Sequence, residues 1–360
     1  MKKLRKDFPM LEHCTYLNTA SSGLLPESVF DFRQGHDLDF LIGGSIFREK
    51  TDDYLTGARE TLGDFFNCKP AHIALLPNFS MGFNLLLEGI PEKSKILLLK
   101  GDYPDINLAV ESRDFEICYA EIDENLEANI EKAVAENEPE YFAFSIVQWI
   151  SGIKIDLEFL KRLKQKHPNL VLIADGTQFC GTEVFDFENS AVDVLGASAY
   201  KWLNAGYGNA FFLFDESVEK RFSPKAMGFG STFGKYKENA VNFIGKLEPG
   251  HLDTLNFGSL KVALELQTKI GQETIQKQIE NLSKKAKIEF EKLGLLEEKV
   301  VKRNIHSSIF NLRGDERLFQ KLQQNEIICV PRGNGIRVGF HYFNTEEELG
   351  YLVDVLNRET

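Results

Sequence analysis

The sequence predicts an α/β protein with a mostly parallel sheet in its large domain and a smaller α+β domain at its carboxyl end. Between about residues 71 and 214, short apolar runs alternate with helical patterns, which is typical of a sheet covered by helices on both faces. After Gly250 a long charged amphipathic segment follows. Because 360 residues exceed one core, we predict two units, 1–250 (an amino-terminal segment plus the large domain) and 251–360 (the small domain).

The predicted elements follow in chain order. Seven apolar runs of the first region are predicted strands: HIALL, KILLLKG, FEICYAEI, YFAFSIV, NLVLIADG, DVLGAS and AFFLFD. Helical patterns lie between several of them: SMGFNLLLEGI, ENLEANIEKAVAEN and DLEFLKRLKQKH. The second region has an amphipathic segment from about Phe257 to Leu293 and then SSIFNLR, EIICVP and GIRVGF, with helices between and after them. Sheets of this class bind ligands at the carboxyl ends of their strands.

Charge and composition exclude several classes of function. A formal net charge of -12 opposes contact with a phosphate backbone, so we expect no nucleic-acid partner. No stretch approaches the roughly 20 apolar residues of a membrane span, and the basic start lacks an apolar signal core. We therefore expect a cytoplasmic protein without a membrane partner. The five cysteines are scattered without a CxxC or Cys/His cluster, which predicts free thiols and no metal site.

Two polar residues at predicted strand ends carry the chemical argument. Lys201 follows a nearly apolar strand and lies between Tyr200 and Trp202, so it is predicted to be partly buried, although an isolated lysine is usually a surface charge. Burial lowers the pKa of a lysine and supplies a neutral amine. Asp175 ends the run VLIAD, where an ordinary Asp-Gly turn is the alternative. Pyridoxal 5′-phosphate (PLP) needs an amine for its aldehyde and an anion for its ring nitrogen, and this pair supplies both.

Ordered motifs from YLNTASSGLLPESV through ADGTQ and SAYK to IRVGFHYFNTEEEL resemble those of a known family. It is the class V aminotransferase, or cysteine-desulfurase-like, family of fold type I PLP enzymes, and the sequence is most similar in character to kynureninase and the isopenicillin-epimerase-like members. The resemblance implies that Asp175 binds the pyridine nitrogen and that Gln178 lies near the phenolic oxygen. It also makes Lys201 the Schiff-base residue and the group that moves the α-proton.

Further cofactor contacts follow from the resemblance. The helix start NFSMGFNLLL offers the Ser80 hydroxyl and backbone amides around Met81 to the phosphate, although Ser80 has an ordinary N-cap as its alternative. Ser198 and Tyr200 correspond to the Ser and His of the family's SxHK pattern, and a phenol can also donate to phosphate. Tyr103 stands where relatives place the ring that stacks on the pyridine, with a packing tyrosine as the alternative.

The substrate side is assigned to three residues. Arg337 corresponds to the arginine that binds the substrate α-carboxylate, a task suited to its planar bidentate geometry. Arg332 is a candidate for the other end of the substrate, with a solvated loop residue as the alternative. Trp149, in VQWISG, stands where desulfurases carry an Asn-containing segment.

Aminotransfer is the predicted reaction. The alternatives are a PLP-dependent lyase (cysteine desulfurase, selenocysteine lyase or kynureninase-like) and an inactive protein that kept the fold. Cysteine desulfuration is disfavoured because Cys329, in the apolar run EIICVP, is expected to be buried with a raised pKa. A dinucleotide-dependent oxidoreductase is disfavoured because GYGNAF lacks the third glycine of that fingerprint. The resemblance further implies a homodimer in which EPGHLDT, with His251, approaches the partner's cofactor.

Overall fold

Twelve strands are found in the computed structural model, which describes residues 4–237 and 242–358. In chain order they are β1 (Thr15–Tyr16), β2 (Ile73–Leu76), β3 (Lys95–Leu99), β4 (Glu116–Ala120), β5 (Tyr141–Ser145), β6 (Val171–Asp175), β7 (Val194–Ser198), β8 (Ala210–Phe214), β9 (Ile309–Arg313), β10 (Ile327–Ile328), β11 (Val330–Arg332) and β12 (Gly335–Gly339). The seven strands predicted for the large domain are β2 to β8, so this part of the prediction is confirmed.

Helices cover and flank these strands within the described residues. They are α1 (Glu27–Gly43), α2 (Thr51–Phe66), α3 (Phe79–Leu87), α4 (Pro104–Glu111), α5 (Leu126–Asn137), α6 (Leu157–Lys166), α7 (Phe243–Leu247), α8 (Thr254–Ile270), α9 (Gln272–Lys292), α10 (Glu298–Val301), α11 (Glu316–Gln324) and α12 (Glu346–Asn357). Short 3₁₀ helices occupy Leu4–Asp7, Pro9–Glu12, Gly44–Lys50, Pro70–His72, Glu216–Arg221, Phe229–Thr232 and Lys235–Lys237.

The central sheet has the order β2-β8-β7-β6-β5-β3-β4. Strand β8 runs antiparallel to its neighbours β2 and β7, and the other pairings are parallel. Side chains of β2 and of β5 to β8 are buried throughout, because helices pack on both faces and continuous apolar runs are stable only when both faces are covered. The predicted α/β architecture with a mostly parallel sheet is therefore confirmed.

The carboxyl-terminal part differs from the sequence-based expectation in two places. The run EIICVP forms two short strands in two sheets: β10 pairs with β1 and β11 pairs with β12. The amphipathic segment forms two helices, α8 and α9, because Gly271 between them adopts φ 94°, a left-handed conformation that interrupts the helix. A three-stranded sheet, β11-β12-β9, completes this region.

The amino-terminal segment lies against both the small sheets and the lysine-bearing segment. Strand β1 pairs in parallel with β10, and the Gly23 N–H donates to the Tyr200 carbonyl at 2.8 Å. A Cβ at Gly23 would lie 2.0 Å from the Lys201 carbonyl oxygen, so only glycine permits this approach. Helix α8, beyond the predicted boundary at residue 250, packs on α1 and α2. The division at residue 250 stays a prediction.

Within residues 4–237 and 242–358, every helix is too short or too polar to cross a bilayer. The cytoplasmic location stays a prediction.

Candidate active site

One pocket lies at the carboxyl ends of the central parallel strands. Ser145, Asp175 and Ser198 are the last residues of β5, β6 and β7, and all three line it. The predicted site residues that line this pocket are Ser80, Tyr103, Trp149, Asp175, Gln178, Ser198, Tyr200 and Lys201. Residues far apart in the sequence thus meet where a sheet of this class binds its ligand.

Lys201 is buried in this pocket, with 5% of its surface exposed. Its Nζ lies 5.7 Å from the centre of the Tyr103 ring and 5.6 Å from that of Tyr200. Burial lowers the pKa of Lys201 to about 8, Asp175 partly offsets this effect, and the positive charge of Arg337 adds to it. The amine is therefore closer to neutral at physiological pH than a solvated lysine.

Asp175 is the buried anion of the pocket. Burial raises its pKa above the ordinary value, whereas the hydrogen bond from the Thr177 N–H (2.8 Å) and the charge of Lys201 act in the opposite direction. Within the described residues, Asp175 and Lys201 form no direct ion pair, although each acts electrostatically on the other. The two groups line the same pocket.

Gln178 is held by neighbouring groups on both sides of its amide. Its Nε2 donates to the Ala20 carbonyl at 2.9 Å, and its Oε1 accepts from Trp202 Nε1 at 2.8 Å. The amide orientation is thereby fixed by the amino-terminal segment and by the residue after Lys201. One N–H of Nε2 remains for a ligand.

The start of α3 forms one wall of the pocket. Asn78 is the N-cap and accepts from the Met81 N–H at 2.8 Å, while the Phe79 N–H donates to Ser198 Oγ at 3.0 Å. In this first turn the Ser80 N–H lacks a hydrogen-bond partner among the residues that the structure describes. Free amides at a helix start favour anions, so the Ser80 amide is better placed than that of Met81 to receive one.

The Ser80 hydroxyl has a partner that the sequence did not predict. It donates to Asp105 Oδ2, and Asp105 also lines the pocket. The residue belongs to the first turn of α4, where a carboxylate is favourable. GDYPDIN places this acid two positions after Tyr103, which is the only sequence signal for it.

The sequence did not predict two further residues that hold segments of the site in place. Buried Asp102 accepts from the Tyr103 N–H at 2.7 Å and from the Ser145 N–H at 2.8 Å, so it ties the tyrosine loop to the end of β5. Thr177 Oγ1 accepts from the Ser198 N–H at 3.1 Å and so joins the ends of β6 and β7. Both residues directly follow apolar runs in the sequence, but their partners are distant along the chain.

Arg337 lies beside the pocket on β12 and is 3% exposed. It donates from Nη1 to the Trp149 carbonyl at 2.6 Å and from Nη2 to Ser21 Oγ at 2.7 Å. Burial, followed by the charge of Arg332, lowers the pKa of Arg337 to about 10. Within the described residues no carboxylate pairs with it, so the buried cation lacks a counter-ion.

Three buried polar side-chain atoms at or beside this pocket lack a protein partner in the described part of the chain. Among the described residues, Arg337 Nε, Trp149 Nε1 and Ser145 Oγ are buried without a hydrogen bond. Buried polar groups are normally satisfied, so a cluster of exceptions indicates a ligand site. A buried amine, a buried carboxylate, two aromatic rings and donors for anions fit PLP and an amino-acid carboxylate.

Cys329 and His251 lie outside this arrangement. Burial raises the pKa of the Cys329 thiol to about 12, which opposes the thiolate that a nucleophile needs. His251 lines a separate groove with Phe40, Phe229 and Phe233.

Residues 16–352 match the family described as Aminotransferase class-V. The chain belongs to this family. Members are PLP-dependent, so the protein is a PLP-dependent enzyme, a transferase or a lyase, of fold type I. The individual residue roles stay predictions.

Three proteins are similar to this class-V family member over nearly its whole length. An uncharacterized aminotransferase, YcbU, of Bacillus subtilis is 21% identical over 100% of this chain and 98% of its own length. The apo cysteine desulfurase of Thermococcus onnurineus NA1 has a TM-score of 0.86 at 17% identity, covering 99% of this chain and 96% of that one. A substituted C-DES with glycine covalently linked to its PLP has a TM-score of 0.85 at 19% identity, covering 98% of each chain.

Proposed function

We propose that Lys201 Nζ binds the aldehyde of PLP and that the enzyme acts on a small amino acid. The observation that carries this proposal is a buried lysine with a pKa of about 8 in the same pocket as a buried carboxylate. When bound, PLP supplies an electron sink for charge that develops at the substrate Cα. An inactive protein is disfavoured because Lys201, Asp175, Gln178 and Arg337 are all present around one pocket.

The cofactor contacts are proposed from the pocket walls. Asp175 is the anion for the ring nitrogen, Gln178 has one free N–H for the phenolic oxygen, and Tyr103 offers a ring within 5.7 Å of Lys201 Nζ. The phosphate is assigned to the start of α3. Its donors there are the free Ser80 N–H and the hydroxyls of Ser198 and Tyr200.

On the substrate side, Arg337 binds the α-carboxylate and Trp149 forms the adjoining wall. Arg337 Nε and Trp149 Nε1 are donors without a protein partner among the described residues, and a guanidinium can bind a carboxylate bidentately. This places the substrate Cα on the side of Lys201. As a neutral amine near pH 8, Lys201 Nζ can accept and return the α-proton.

Aminotransfer is the proposed reaction, in line with the name of YcbU. A lyase is the second candidate, because desulfurases share the fold. The raised pKa of Cys329 disfavours a desulfurase that forms a persulfide on this thiol. A lyase reaction that needs no enzyme thiol is still a candidate.

Mixing the PLP-loaded protein with a panel of amino acids distinguishes the two reactions. We expect aminotransfer to replace the visible band of the aldehyde form by that of pyridoxamine 5′-phosphate, with one keto acid released. Visible spectra and keto-acid analysis in a single half-reaction provide the readout. Release of pyruvate or alanine while the original band persists would instead establish the lyase.

We also propose a homodimer whose interface includes α1, residues 44–50 and the groove around His251. Apolar side chains are unusually exposed there: Leu41 is 80% exposed, Ile42 78%, Ile46 70% and Phe229 66%. Contiguous exposed apolar patches mark protein interfaces. The family resemblance implies that the segment EPGHLDT, with His251, approaches the cofactor of the partner subunit.

Replacing Ile42 and Ile46 together with aspartate should convert the dimer to monomer, because the charges would have to be buried in the interface. Light scattering after size-exclusion chromatography measures the mass. Ile288→Asp is the control, since this isoleucine is also exposed (52%) but lies on α9. A wild-type protein that is monomeric at micromolar concentration would contradict the proposal.

A further inference from the structure

Two arginines lie on one face of the small three-stranded sheet. Val330 of β11 is directly opposite Arg337 of β12, and Arg332 follows Val330 by two positions. Opposite residues in an antiparallel pair share a face, as do residues two apart in one strand. Arg332 and Arg337 are therefore diagonal neighbours, with Cβ atoms roughly 7 Å apart. Gly335 is opposite Arg332.

The turn after Arg332 reaches the wall of the active-site pocket. A Cβ on Gly333 would lie 3.2 Å from Ile150 Cγ2, so this turn contacts the loop that carries Trp149. Burial lowers the pKa values of Lys201 and Arg337, and the positive charge of Arg332 adds to this effect. Burial raises the pKa of Tyr103, and the charge of Arg332 acts in the opposite direction. The Arg332 guanidinium thus lies close enough to the pocket to act on its groups.

Neither arginine has an acidic partner within the part of the chain that the structure describes. Among residues 4–237 and 242–358, no carboxylate forms an ion pair with Arg332 or Arg337. The only hydrogen bond described for the Arg332 side chain is one of 3.3 Å to the carbonyl of its neighbour Pro331. Two adjacent cations without counter-ions repel each other, and a ligand with two anionic groups would relieve both.

We propose that the substrate is an acidic amino acid, whose α-carboxylate binds Arg337 and whose side-chain carboxylate binds Arg332. This inference rests on the proposed function for the amino acid's position, and it adds the chemical class of the side chain. Planar guanidinium groups suit carboxylates. The negative net charge of the protein does not prevent an anionic ligand from binding beside these two arginines. They act on the ligand at short range, where local charge outweighs net charge.

Calorimetric titration with succinate and butyrate tests the proposal without requiring turnover. The two ligands have the same number of carbon atoms and differ by one carboxylate. We expect the PLP-loaded wild type to bind succinate at least about tenfold more tightly than butyrate, and Arg332→Gln to lose most of this preference with butyrate binding unchanged within about twofold.

Arg313→Gln is the matched control. Arg313 lies on the same face, opposite Gly335 in β9, but its charge is not among those that shift the pKa of Lys201, Tyr103 or Arg337. We expect this substitution to leave both affinities unchanged. Equal affinity of the wild type for succinate and butyrate would overturn the proposal, as would equal losses in the two variants.

The test separates this inference from the proposed function. Uptake of PLP is read first from the visible band of the wild type, and a protein without the band would refute the cofactor assignment alone. Spectral titration of the loaded protein with aspartate and glutamate, against asparagine and glutamine, then tests the substrate class. A preference for the amides in a yellow protein would refute the acidic substrate while leaving PLP chemistry in place.

Discussion

The Lys201→Ala protein is expected to bind PLP without a covalent bond and to lose at least about 10³-fold in kcat. Two functions disappear with this amine: the attachment of the aldehyde and the movement of the α-proton, and positioned acid–base groups alone contribute about 10²–10⁴-fold. The measurement is the half-reaction rate with the best amino acid of the panel, together with the visible spectrum. Among the described residues Lys201 Nζ forms no hydrogen bond or ion pair, so the fold should persist without this side chain.

Lys100→Ala is the control for this prediction, because Lys100 also follows a strand of the central sheet but is exposed and pairs with Glu121. It should retain the wild-type spectrum and rate. A Lys201→Ala protein with a rate within about tenfold of wild type would contradict the assigned role.

The pH dependence of PLP capture gives the same assignment an independent check. Only the neutral amine attacks the aldehyde, so the capture rate should rise with pH while Lys201 loses its proton. With a pKa of about 8, the neutral fraction rises about tenfold from pH 7 to pH 9 and then levels off. Stopped-flow spectra of the apo protein mixed with PLP measure the capture rate at each pH. A rate that is still rising steeply above pH 10 would indicate a solvated lysine instead.

The Asp175→Asn protein is expected to keep PLP but to lose about 10²–10³-fold in kcat. Asparagine has nearly the same shape and can still accept from the Thr177 N–H, so packing is preserved. What disappears is the negative charge, and a unit charge pair at about 4 Å is worth about 4 kcal/mol at an effective dielectric of 20. Its loss reduces the stabilisation of charge on the ring nitrogen.

The measurements are kcat and the PLP dissociation constant of Asp175→Asn. Asp193→Asn is the control: this buried carboxylate precedes β7, at the opposite end of the sheet, and accepts from Lys164 and from the Leu172 N–H. It should lower the unfolding temperature while leaving kcat within about twofold. If Asp175→Asn keeps kcat within about threefold of wild type, the ring-nitrogen assignment is wrong.

The seven strands of the central sheet and the strand ends near Lys201 and Asp175 could be predicted from the sequence. Continuous apolar runs identify buried strands, and polar residues that follow them mark the edge of the sheet where ligands bind. The predicted roles of Gln178 and Arg337 came from the family resemblance, because the local sequence alone does not indicate them. The structure brings Lys201, Asp175 and Gln178 into one pocket and places Arg337 beside it.

What the sequence did not predict depends on side-chain partners distant along the chain. The pairing of Ser80 with Asp105 and the contact of Gln178 with Ala20 arise only when α3, α4 and the amino-terminal segment pack together. The shared face of Arg332 and Arg337 requires the register of β11 against β12. The splitting of EIICVP between two sheets could not be seen because an apolar run does not reveal which strand it will pair with.

Borohydride reduction of the PLP-loaded protein, followed by peptide mass spectrometry, tests the central claim most directly. Reduction fixes the cofactor on whichever amine holds it. We expect a phosphopyridoxyl group on the peptide that contains Lys201 and on no other lysine. A label on a different lysine, or a protein that takes up no cofactor at all, would contradict the claim.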